Sequence, residues 1–172
     1  EFEYPKKSLI ITTTTPEFYN KWIDYMGITD YELYDKATPD PAIETVEQIK
    51  KEFEGKDISA YIGLGGGSSM DLCKYLSKLT GIPKIFIPTT FGTGAEMTTY
   101  AVISFEHKKK LLQDEAFLAD AAIVDPYFLP GTPFNIMRNS ACDAAAQASE
   151  GYDSKLSNPF TKLFCKEAFE IL

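Results

Sequence analysis

Ser59 to Lys74 reads S-A-Y-I-G-L-G-G-G-S-S-M-D-L-C-K, an apolar run that gives way to consecutive glycines and then to a helix-forming segment. Glycine has no Cβ, so at Gly65, Gly66 and Gly67 the backbone is free to approach an anion closely. Ser68 or Ser69 is placed to cap the helix that follows, and that helix would turn its unpaired N–H groups and positive dipole end towards the anion. A tight strand-to-helix turn without any ligand uses the same residues. Spacing alone supports a nucleotide or phosphate site and no more, because G-x-G-G-G-S does not reproduce the dinucleotide fingerprint G-x-G-x-x-G.

Outward from this turn, the chain alternates strand and helix signals. Ser8 to Thr13 is apolar and β-branched, and Thr14, Thr15 and Pro16 then open an N-capped helix to about Met26. Tyr31 to Tyr34 predicts a second strand. Pro39-Asp40-Pro41 breaks the chain before a helix whose Ile43, Val46, Ile49 and Phe53 share a face. Ile58 to Leu64 predicts the third strand, Leu72, Leu76 and Leu79 stripe the helix after the glycines, and Gly81-Ile82-Pro83 stops it before a strand at Lys84 to Ile87. Such alternation predicts an α/β fold, a parallel sheet with helices on both faces.

The pattern changes after Pro88. Thr89 to Thr99 is a polar loop, Tyr100 to Phe105 and Lys109 to Gln113 flank Glu106-His107 as a hairpin, and Ala121 to Val124 returns to the sheet. From Thr132 onward only helix signals remain: Pro133 suits the first helical position, Asp143 to Ser149 is alanine-rich, and Asn158-Pro159 opens a helix rich in Phe and Leu. The boundary falls near Leu129, giving an α/β domain over 1–129 and the beginning of an all-helical domain over 130–172. Phe160, Leu163, Phe164, Phe169 and Leu172 are too many for one buried stripe and call for partner surfaces.

With 172 residues, 44% of them hydrophobic and 13% aromatic, the chain is able to bury a sizeable core. A formal net charge of −8 opposes nucleic acid and anionic membrane as partners, since either would be repelled. Cys73, Cys142 and Cys165 show no C-x-x-C spacing and read as core thiols of a protein in a reducing cytoplasm. Glu1 to Lys7 is charged and no apolar run approaches a membrane span, so neither a signal peptide nor an anchor is expected.

Four segments together resemble the iron-containing (group III) alcohol dehydrogenase family. They are Gly65-Gly66-Gly67-Ser68-x-x-Asp71-x-x-Lys74, Pro88-Thr89-Thr90-x-Gly92-Thr93-Gly94-Ala95-Glu96, Asp125-Pro126 and Asp143-Ala144. The resemblance runs from about Ser8 to Leu172 and covers roughly the first half of a typical member. It implies a domain that binds NAD or NADP, a helical domain holding a divalent metal, iron or zinc, and interconversion of a small alcohol with its aldehyde or ketone. A homo-oligomer is also in keeping with it. By position it implies Gly66, Gly67 and Ser68 at the pyrophosphate, with Gly65 before them. Thr89, Thr90, Thr93 and Thr98 would line the cofactor in the loop, Lys109 and Leu129 would lie on the nicotinamide and ribose side, and Asp40 stands where members often place a cofactor-contacting Asn. Threonines in a loop also serve as local backbone partners, and Lys108 to Lys110 also suits a solvated hairpin edge.

Two departures from the family pattern bear on chemistry. The first strand of members usually ends in Asp, which binds the ribose 2′-hydroxyl of NAD and repels the 2′-phosphate of NADP; here Thr13 stands there, so NADP should be tolerated, although threonine is also a natural strand end. Members also place Asp and His four residues apart on one helix facing a metal. Here Asp143 is present but Gln147 stands at the His position, and an amide oxygen is a poor ligand for Fe²⁺ or Zn²⁺. The expected catalytic residues are therefore Lys109 and Asp143, with Asp143 and Gln147 as a weak metal pair. The lone His107 and Glu150 read as solvated. The segment between Lys74 and Pro88 is short, and the run from Lys108 to Asp125-Pro126 is similar to the phosphonoacetaldehyde reductase branch, with maleylacetate reductases a second short branch. A truncated relative that binds nucleotide without turnover and a dehydroquinate synthase-like lyase are the competing readings, the latter set against the dehydrogenase pattern of Pro88 to Glu96.

Overall fold

Leu9, Ile10 and Ile11 lie on an interior strand of a five-stranded parallel sheet, and each is fully buried. A computed structural model describes residues 6–172; the charged start at Glu1 to Pro5 lies outside them. The sheet runs β2-β1-β3-β4-β7, built from β1 (Ser8–Thr12), β2 (Tyr31–Tyr34), β3 (Ala60–Gly65), β4 (Lys84–Pro88) and the short edge strand β7 (Ala121–Ala122). Every pairing in it is parallel. Side chains alternate across a strand, so neighbours in sequence enter different cores. Leu9, Ile11, Tyr61 and Phe86 pack with α2 (Ile43–Glu52) and α3 (Gly67–Thr80), whereas Ile10, Ile62, Leu64, Ile85 and Ile87 pack with α1 (Pro16–Met26) and Phe128. Burying a side chain of this size stabilises by about 1.5–3 kcal/mol, which is why the near-continuous apolar runs select a sheet covered on both faces.

The helix ends follow local rules with some exceptions. Gly27 and Gly81 take the left-handed conformation and close α1 and α3, their N–H groups reaching Asp24 O and Ser77 O. Pro16 occupies the first turn of α1 as expected, but Thr15 makes no side-chain cap bond. Leu79 is 46% exposed and so leaves the predicted stripe of α3, of which Leu72 and Leu76 are buried. The third strand begins at Ala60 rather than Ile58. Beyond the sheet, β5 (Tyr100–Phe105) and β6 (Lys108–Gln113) form the antiparallel hairpin, and Glu106 and His107 both have positive φ, as a two-residue primed turn requires.

The chain separates into two compact units: Glu1–Thr89 with Gly94–Gly131, and Thr90–Thr93 with Thr132–Leu172. The second contains α4 (Phe134–Asp153) and α5 (Pro159–Ile171). Pro133 precedes α4 at its N-cap rather than standing in its first turn. Asn158 caps α5, its side chain accepting from the N–H groups of Phe160 and Thr161. Of the cysteines only Cys73 is a core thiol; Cys142 is exposed and Cys165 partly buried, because both lie on helices with little surface packed against them. No helix among the described residues is long and apolar enough to cross a membrane.

Candidate functional site

The sheet order makes β1 the point from which successive connections diverge, to β2 on one side and to β3 on the other. Open parallel sheets bind ligands beyond the carboxyl ends of strands at such a point. Thr12 is in register with Leu64, so Thr13 and the glycine turn leave the sheet side by side. At Gly65, φ is +155°, and a Cβ would lie 2.5 Å from Ser69 Oγ and 3.4 Å from Thr13 Oγ1, so a side chain there would strain the backbone and displace the Ser69 hydroxyl. Ser69 is fully buried and donates to Thr13 Oγ1 at 3.3 Å. That bond replaces the predicted cap. The N-cap of α3 is Gly66, and no side chain caps the helix, so its first-turn N–H groups have no cap oxygen. Such an end accepts an anion from outside. Thr89 N–H donates to Gly65 O at 3.0 Å, which brings Thr13, Gly65, Gly66, Gly67, Ser68 and Thr89 into one place.

Thr98 belongs to a second cluster, which sequence reading passed over. The Lys74 side chain is fully buried, and its Nζ donates to Thr98 Oγ1 at 3.2 Å and to Tyr100 O at 2.6 Å. It lies 3.9 Å from Asp71 Oδ1, and Asp71 Oδ2 accepts the Val102 N–H at 3.0 Å. Burial pushes the Asp71 carboxyl up to about 6, against the Val102 hydrogen bond and the Lys74 charge. Burial likewise pulls the Lys74 ammonium below its ordinary value. The signal was available: Asp and Lys stand three apart in a helix whose surrounding positions, Met70, Leu72 and Cys73, are apolar.

Asp40 and Lys109 meet each other. Their side chains, 60% and 59% exposed, form an ion pair at 2.6 Å. The Pro39–Ala42 segment is held against the hairpin by the Ser104 N–H on Pro41 O and by a bridge between Ala42 and Ser104, and Ser104 is in register with Lys109. Leu129 follows the short 3₁₀ turn Pro126–Phe128 and bonds back to Pro126 O. His107 is exposed in the hairpin turn.

Thr90 and Thr93 fall in the second unit, beside Gly92. A Cβ on Gly92 would meet Ser140 O at 2.9 Å and Asp143 Oδ2 at 3.0 Å. Gln147 Nε2 donates to Gly92 O and to Asp143 Oδ1, each at 3.1 Å. The i, i+4 spacing thus sets Asp143 and Gln147 face to face as the sequence predicts, but the amide presents its N–H to the carboxylate. One carboxylate and one amide do not make a ligand set for iron or zinc, and no group of three or more acidic, His or Cys residues able to hold a metal occurs among the described residues. Glu150, on the following turn, is exposed.

A groove of about 760 Å³ in the first unit involves none of these residues. Ile62, Ile85, Ile87 and Phe128 line it beside Tyr25, so its apolar wall does not suit a phosphate.

A parallel, doubly wound sheet with an anion-receptive glycine turn at its switch point places the first unit in the nucleotide-binding class of α/β folds. The profile of the iron-containing alcohol dehydrogenases matches residues 2–126, and the chain belongs to that family. It is 33% identical to the long-chain-alcohol dehydrogenase 1 of Geobacillus thermodenitrificans over 148 residues, which cover 74% of this chain and 38% of that protein. It is 30% identical to the NAD-dependent methanol dehydrogenase of Bacillus methanolicus, covering 97% and 50% of the two chains. The iron-containing alcohol dehydrogenase structure from Thermococcus thioreducens superposes with a TM-score of 0.87 at 20% identity, over 96% of this chain and 52% of that one, and shows the fold. The chain thus spans about half, or less, of the length of these relatives.

Proposed function

We propose that the first unit binds NADP or NAD and serves an oxidoreductase that interconverts a small alcohol with its aldehyde or ketone, phosphonoacetaldehyde-type compounds included. The observation that carries this reading is the glycine turn at the switch point, with Gly65 in a conformation that disfavours any side chain and the amino end of α3 without a side-chain cap. When bound, the nicotinamide supplies or accepts hydride. The chain's own residues bind and orient. The N–H groups of Gly67 and Ser68 would hold the pyrophosphate, and Thr89 is fixed to the turn through its backbone bond to Gly65 O. Thr13 offers a hydroxyl in place of a carboxylate, which removes the repulsion of a 2′-phosphate. Asp143 and Gln147 do not fit a metal by themselves, so no step is assigned to one.

The test is a fluorescence titration of the chain with NADH and NADPH, beside the variant Gly65→Val. NADPH binding at least as tightly as NADH is expected, with loss of both in the variant while the Trp22 emission of the folded state persists. Tenfold tighter NADH, about 1.4 kcal/mol, would refute the role given to Thr13. Binding of neither nucleotide by the unsubstituted chain would refute the cofactor reading.

A further inference from the structure

We infer that Lys74 is a positioning residue for the cofactor loop: its buried ammonium holds Thr98 so that the Thr98 hydroxyl is presented as a hydrogen-bond donor to an oxygen of the bound dinucleotide. This inference rests on the cofactor reading above and adds to it a residue that touches no ligand.

The geometry is specific. Lys74 lies seven residues, about 10 Å, along α3 from Gly67, so the helix that would receive the pyrophosphate at its start holds the loop at its middle. Its Nζ spans Thr98 Oγ1 and Tyr100 O and so fixes the backbone where the 3₁₀ turn Ala95–Met97 passes into β5. An ammonium donates and never accepts. Its bond to Thr98 Oγ1 therefore occupies a lone pair and leaves the hydroxyl proton to point elsewhere. Among the described residues that proton has only a 3.5 Å contact with Ala95 O, the weak limit of a hydrogen bond, so a better acceptor would take it. Asp71 stands on the other side of the same ammonium and ties β5 to α3 through the Val102 N–H. A fully buried lysine is uncommon and costly unless its charge and donors are used, and here they are used on the loop.

A double-substitution cycle tests this with cofactor affinity as the readout. Lys74→Met and Thr98→Val are each expected to weaken dinucleotide binding by about fivefold, the effect of one hydrogen bond. The double variant should bind no worse than the weaker single variant. Trp22 fluorescence reports whether each variant is folded. If Lys74→Met does not fold, Lys74→Gln, which keeps one donor, takes its place, with an intermediate loss expected that again vanishes when Thr98→Val is already present. Losses that multiply independently, or affinity unmoved in folded Lys74 variants, would overturn the inference while leaving the cofactor reading intact. No binding by the unsubstituted chain would overturn both.

Discussion

The α/β unit and the helical unit are both rich in large apolar residues, yet they bury them to opposite degrees. In the first, alternating positions of β1, β3 and β4 enter two separate cores. In the second, α4 buries only Ala148 and α5 buries no residue at all, with Phe160 75% and Phe164 71% exposed. Apolar content is therefore not a measure of core. Burial needs an opposing surface, and a sheet offers two where a helix pair offers one narrow seam.

The largest expected effect sets the two units directly against each other. Ile10→Ala should destabilise the first unit by about 2–5 kcal/mol, whereas Phe164→Ser should change stability by no more than about 0.5 kcal/mol. Urea unfolding followed by Trp22, the single tryptophan and a member of the Ile10 core, gives the first value, and far-UV circular dichroism gives the second. A comparable loss at Phe164 would erase the contrast.

A smaller effect sharpens the contrast by asking what the first unit tolerates inside it. The Asp71 carboxyl is raised by burial from 3.8 to about 6. Its folded value lies above its unfolded one, so the fold favours the protonated form. Stability from this group is complete below about pH 4 and is lost as pH rises through about 6. Relative to Asp71→Asn, the unsubstituted chain should lose on the order of 3 kcal/mol across that window. Urea midpoints at pH 4, 5, 6 and 7 would show it, and a flat or rising difference would contradict it.

The smallest effect belongs to the ion pair on the first unit's surface. Both Lys109 and Asp40 are more than half exposed, so Lys109→Ala should cost at most about 1 kcal/mol of stability, and less in high salt. A larger loss in thermal melts would mean that the pair holds the Pro39–Ala42 segment in place.

Much of the first unit was legible because its signals are local. Period-two and period-3.6 apolar patterns, Gly27 and Gly81 at helix ends, and the Glu106-His107 turn between alternating strands each act within a few residues. Serine at a helix start argued for a cap, but Ser69 lies past Gly66 and turns instead to Thr13, a residue 56 positions earlier. That contact depends on strand order, which no local pattern specifies. The pairing of Asp40 with Lys109, and of Lys74 with Thr98, was out of reach for the same reason. Leu79 and the cysteines of α4 and α5 were assigned to cores by residue type, but exposure follows from what packs against each helix.

The strand order also sets how the chain must acquire its structure in time. Ser8 finds its sheet neighbours only at Tyr31 and Ala60, and Ile85 reaches its edge partner at Ala121, so no pair of the large sheet is joined by a tight turn. Among the described residues only the hairpin Tyr100–Gln113 pairs locally. Such long loops must close before their contacts repay the lost entropy, which makes folding slow. On the ribosome, the run Leu9–Ile11 would emerge before either neighbour, gain one of them once Tyr34 has been made, and wait with its other edge open until Leu64 has been made. Cooler expression, or a holdase that shields this run, should raise the soluble yield more than any substitution in the later helices.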